Sequence, residues 1–154
     1  MLAAAACGSP PPRTANPTRP LDERRAMQII VQAFRDEDDR PTATREIEVK
    51  KGKVLEVDVG SEGHLYGVAY VTAAERHTLG AAIPQPDPEM PDALHLVHGV
   101  GSEAEAKVLL LHDTNYLYDD QVGAEHEETT LTAERKLGRD VRDFLVRAHA
   151  EKWH

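Results

Sequence analysis

Between Pro20 and Arg35 the apolar residues Met27, Ile30, Val31 and Phe34 recur at helical spacing. Asp22 and Glu23 stand at the front of this stretch, where carboxylates complement the helix dipole, and Pro20 suits the first turn. A first helix is therefore predicted, ended in solvent by Asp36-Glu37-Asp38-Asp39. The period then changes to two. Ile47 and Val49 alternate with Glu46, Glu48 and Lys50, and Lys51-Gly52-Lys53 supplies a turn. Leu55, Val57 and Val59 share one face of a second strand, with Glu56 and Asp58 on the other. After Gly60-Ser61-Glu62-Gly63, a third strand sets Leu65, Gly67, Ala69 and Val71 against Tyr66, Val68 and Tyr70. Short Gly-containing turns favour an antiparallel meander of these three.

Thr72 is placed to cap a short helix, AAERHTL, and Gly80 to stop it. IPQPDPEMPD can only be a loop. ALHLVHGV and KVLLLH read as two further strands, followed by a polar, acidic loop over 113–129. In the last helix Leu137, Val141, Phe144, Leu145 and Ala148 form the stripe of a helix docked on a sheet, with Arg135, Arg139, Arg142 and Arg147 largely off it. The order α-βββ-α-ββ-α specifies an α+β fold: one largely antiparallel sheet of about five strands with the N- and C-terminal helices packed on it.

Length and charge narrow the reading. A chain of 154 residues has room for one domain, taken as residues 21–154, and a core of that size needs no disulfide framework. The formal charge is −9, but residues 21–131 hold 10 basic and 23 acidic side chains. Such a body repels phosphate backbones, so no nucleic-acid partner is expected. The sequence contains no run of 18 apolar residues, the length that spans a bilayer as a helix. Arg outnumbers Lys 12 to 6, a bias common in GC-rich bacterial genomes.

The polar, Pro-rich stretch 8–20, GSPPPRTANPTRP, cannot bury enough surface to offset its ordering entropy and is expected to be a flexible tether. It follows the only cysteine, in Ala4-Ala5-Ala6-Cys7-Gly8-Ser9, which resembles the lipobox of bacterial lipoproteins. The resemblance implies that residues 1–7 are the end of a signal segment and that the Cys7 sulfur receives a diacylglyceryl group. Cleavage would then leave Cys7 at the mature N-terminus, and the small residues before it would let a peptidase approach the backbone. At about 3.1 Å per extended residue, the tether could reach on the order of 40 Å. Two or three acyl chains anchor stably, each buried CH₂ contributing about 0.8 kcal/mol. Ala4 stands where the class usually has Leu, and the short apolar run carries no basic n-region, so a start upstream of Met1 is expected. The implied location is the bacterial cell envelope, lipid-anchored, with Gly8 pointing to the outer membrane. The implied partners are the membrane and a protein. The alternative is a soluble cytoplasmic interaction domain with an Ala-rich N-terminus and an incidental cysteine.

Candidate chemistry is sparse. The densest polar cluster is HDTNYLYDDQVGAEHEE, in which His112, Asp113, Asp119, Asp120 and His126 are residue types that bind Zn²⁺ or another divalent metal. A metal-dependent enzyme on the His112–Glu128 loop is therefore the alternative to a non-enzymatic binding or structural domain without cofactors. The spacings argue for a solvated acidic loop. His126-Glu127 begins H-E-x-x-H, but Thr130 occupies the second His position, and Leu117 and Tyr118 break the calcium-loop pattern begun by Asp113 and Asn115.

His95 and His98, three apart on a strand, face opposite sides and cannot readily share a metal. His98 is expected to be the partly buried one, beside Leu94, Leu96 and Val100. Gly99-Val100-Gly101-Ser102-Glu103-Ala104 fits the dinucleotide fingerprint, yet leaves about one helical turn where a parallel crossover needs roughly ten residues. A helix followed by three strands with Asp58 on the second resembles the core of restriction-like nucleases, but the Glu-x-Lys pair they need is missing from LYGVAYV. None of Ser9, Ser61 and Ser102 lies in G-x-S-x-G. Tyr66 with Tyr70, and Tyr116 with Tyr118, either line a recognition surface or pack under a helix.

Overall fold

The computed structural model describes residues 17–119 and 130–154. In chain order the elements are β1 (Arg19–Pro20), α1 (Glu23–Asp36), β2 (Pro41–Thr42), β3 (Arg45–Lys50), β4 (Lys53–Val57), β5 (Val59–Ser61), β6 (Tyr66–Val71), α2 (Ala73–Leu79), β7 (His95–His98), β8 (Lys107–His112), β9 (Leu117–Tyr118) and α3 (Thr130–Ala150). The main sheet has the order β2-β5-β6-β8-β7 and is antiparallel except for the parallel pair β6 and β8. The fold is α+β, with α1 and α3 packed on the sheet.

Alternation along the two central strands builds a core on each face. Tyr66, Val68 and Tyr70 of β6 and Leu109 and Leu111 of β8 meet Ala26, Ile30, Ala33 and Phe34 of α1 and the expected stripe Leu137, Val141, Phe144, Leu145 and Ala148 of α3. Ala69, Val71, Val108 and Leu110 face the other way. There they are covered by Ile47, Val49, Leu55 and Val57 of the β3–β4 hairpin, by Leu79 at the end of α2 and by Ile83.

The expected three-strand meander is broken at Asp58. β3 and β4 pair only with each other, and β5 belongs to the main sheet. Val57 and Val59, assigned by period two to one face, lie in different cores. Asp58 is the corner: its Oδ2 accepts the Tyr70 backbone N–H at 2.7 Å, just where β5 has left β6. The hairpin then folds back over Gly67, where a Cβ would lie 2.6 Å from Val57 Cγ1 and 2.9 Å from the Val59 carbonyl oxygen.

Thr72 caps α2 as expected, in a full capping box with Glu75, and the helix stops at Gly80 (φ +51°). Arg19 and Pro20, assigned by composition to the tether, pair with Tyr118 and Leu117, so the fold begins at Arg19. At the other end Trp153 packs 5.7 Å from Phe144, and the Leu65 N–H donates to the His154 carbonyl at 2.7 Å.

Candidate functional site

β8 places His112 on the hairpin side of the sheet, at the carboxyl ends of two adjacent parallel strands, where open α/β sheets commonly bind ligands. The imidazole is fully buried. Its Nε2 donates to the Pro84 carbonyl at 3.0 Å, which leaves Nδ1 as a buried lone pair without a partner. Burial, with Arg76 and His95 nearby, lowers the His112 pKa to about 4, so the ring is neutral at physiological pH. Asp113 forms an ion pair with Arg76 (2.7 Å), each side chain about a tenth exposed, and Arg76 also donates to the Val71 carbonyl at 2.8 Å.

The other ring here is that of His95, 6.3 Å from His112 between centroids and steeply inclined, with Nε2 buried and unpartnered. The expectation for the H-x-x-H pair is thereby reversed. His95 points inward, while His98 is exposed together with Leu94 and Val100, because β7 is an edge strand with only one covered face.

Of the remaining predicted metal ligands, Asp119 is buried, and Asp120 and His126 lie outside the described residues, as does Cys7. Among the described residues no three His, Cys, Asp or Glu side chains converge as metal ligands do. His112 and Asp113 are adjacent in sequence but engage different partners, Pro84 and Arg76.

A second polar cluster escaped the sequence reading. The acidic run was expected to end in solvent, yet Asp38 takes a left-handed conformation (φ 61°) and turns Asp39 into the fold, where it is 9% exposed. Asp39 Oδ2 accepts from Ser61 Oγ and Tyr66 OH, both at 2.8 Å, and Oδ1 faces His149 Nε2. Burial and the Asp39 carboxylate push the Tyr66 hydroxyl up to about 12. Ser, His and Asp are together here, but Ser61 and His149 both bond the carboxylate, so His149 is not arranged to activate Ser61. The cluster joins the end of α1 to β5, β6 and α3. A left-handed Asp at a helix end is the one local signal that could have revealed it.

The remaining motifs resolve structurally. Tyr66, Tyr70 and Tyr116 are buried, with Tyr70 OH donating to the Leu21 carbonyl and Tyr116 OH to Asp140, each at 2.7 Å. They are core residues, and Tyr118 pairs in β9 under Arg19. The G-x-G-x-x-A stretch is the β7–β8 connection of an antiparallel pair, and a Cβ on Gly99 would lie 2.3 Å from the Glu103 carbonyl oxygen. Its glycine answers to a tight turn.

On the outer face, α1 and α3 enclose an open groove of about 430 Å³. Ile29, Ala33 and Gly138 line it, beside Leu131, whose apolar side chain is 52% exposed. Arg25 closes one end through a two-point pair with Glu134 (Nε–Oε1 2.6 Å, Nη2–Oε2 2.9 Å), which holds the Glu134 carboxyl below its usual range. Gly138 is conspicuous. Glycine inside a helix costs about 0.5–1 kcal/mol relative to alanine. A Cβ there would meet Ile29 at an ordinary 3.5 Å and the mobile end of Arg142 at 3.2 Å, so helix packing does not demand the glycine.

Comparison with protein-family models, curated proteins and solved structures found no match to the chain.

Proposed function

We propose that this chain is a lipoprotein of the bacterial envelope whose α+β domain is a non-enzymatic binding module held to the membrane through Cys7. The supporting observation is how the charged groups are distributed. The buried Asp39, Asp113 and Asp140 bond side chains of other elements, whereas Arg135 and Arg142, without an acidic partner among the described residues, line an open groove on the outer face. A carboxylate held in such a bond orients its neighbours and is poorly placed to exchange protons with a substrate. The Ala4-Ala5-Ala6-Cys7 motif supports the anchor.

Expressed in bacteria with its native upstream sequence, the protein is expected to incorporate labelled palmitate and to sediment with membranes. Cys7→Ala should abolish both. Equal labelling of wild type and variant would end the proposal of an anchor.

One observation favours a second reading, a zinc-dependent site on the His112–Glu128 loop: the partnerless Nδ1 of His112. Equimolar zinc in the purified protein, lost in both His112→Ala and His126→Ala, would replace the binding-module reading with this one.

A further inference from the structure

We propose that the groove between α1 and α3 receives a single acidic, amphipathic helix of a partner protein, a reading that rests on the domain being a binding module. Leu131, Arg135, Gly138 and Arg142 lie at i, i+4, i+7 and i+11 and form one stripe of α3 along the groove. Arg135 and Arg142 stand two turns apart, about 10 Å along the axis, which matches carboxylates seven residues apart on a helix lying alongside. Several arginines of the fold find acidic partners: Arg25 with Glu134, Arg45 with Glu103, Arg76 with Asp113 and Arg147 with Glu151. Arg135 and Arg142 have none among the described residues. They outnumber Asp36, the carboxylate left at the α1 end and bonded by Gln32.

Between the two arginines Gly138 is buried, with the end of Arg142 3.2 Å from where a Cβ would lie, and the packing of α1 on α3 does not require the glycine. Arg142 turning to a carboxylate of the partner would uncover the glycine as a notch, where an apolar side chain of the partner would seat beside Ile29, as in helix-in-groove recognition. A membrane surface fits less well, because the site is concave and the chain carries a net charge of −9.

The test uses the full chain carrying Cys7→Ser, so that acylation does not enter, and a phage-displayed library of 18-residue helical sequences. Enriched sequences should carry Asp or Glu seven positions apart around a small or apolar residue. Arg135→Glu with Arg142→Glu should weaken them at least tenfold, and Gly138→Leu should abolish binding. Gly138→Ala should weaken binding severalfold while raising the thermal midpoint, which separates loss of the notch from loss of the fold. Binders without acidic bias, or insensitive to the arginine reversals, would overturn the groove and leave a binding module acting through another face. Self-association removed by the reversals, or stronger binding to phosphatidylglycerol vesicles than to any peptide, would also overturn it. The palmitate experiment is unaffected by any of these results.

Discussion

His112 and Asp58 are both withdrawn from water, and their pKa values move to opposite sides of their ordinary positions. The imidazole falls from 6.5 to about 4 and the carboxyl rises from 3.8 to about 7, burial being the largest cause in each. The consequences for stability have opposite signs. As pH falls from 6.5 to 4 the unfolded chain gains a proton that folded His112 refuses, and stability drops by up to about 3 kcal/mol. As pH falls from 7 to 3.8 folded Asp58 is protonated before its unfolded counterpart, and stability is regained. Asp58→Asn preserves an acceptor for the Tyr70 N–H without the charge. The variant should be more stable than wild type above pH 7, with the difference shrinking to nothing near pH 4 in urea unfolding. A difference independent of pH would show that Asp58 is ionised normally in the fold.

At the scale of elements, the β4–β5 corner decides the architecture. A strand carrying Leu55, Val57 and Val59 at period two could have run straight along β6. Instead the chain leaves the sheet at Asp58, and β3–β4 folds over as a separate layer. Gly67 permits this by letting Val57 rest on the backbone of β6. Gly67→Ala is expected to destabilise the protein by about 1–3 kcal/mol, the range for overpacking a close contact. Thermal melting within a degree of wild type would mean that the hairpin can lift without loss. The elements most readable from sequence, α1, α2 and α3, are those whose signals are local: dipole-matched first turns, a capping box and an i, i+4, i+7 stripe. The face of α1 was only partly legible. Ala26 and Ala33 lie fully in the core, while Met27 and Val31 are partly exposed, because the small side chains let α3 come close.

Across the whole molecule, Asp39 ties four elements together, with donors from β5, β6 and α3 meeting at the end of α1. Asp39→Ala would strand the Ser61 and Tyr66 hydroxyls in the interior and should cost about 3 kcal/mol, measured by urea unfolding at pH 7. A loss well below about 1 kcal/mol would show that these hydroxyls find other acceptors.

Legibility divides along the same line. The sequence by itself determined the α+β class, the three helices, the β7–β8 pair and the failure of the dinucleotide pattern, because periodicity, caps and loop lengths act over a few residues. The lipobox-like Cys7 segment is likewise a sequence feature, and it lies outside the described residues. Only the tertiary structure decided that β6 and β8 run parallel, that Asp39 points inward, that His95 rather than His98 meets His112, and that Arg135 and Arg142 flank a groove. Each of these depends on which distant segment lies opposite a side chain. Hydrophobic patterning says that a residue is covered, and packing alone chooses what covers it.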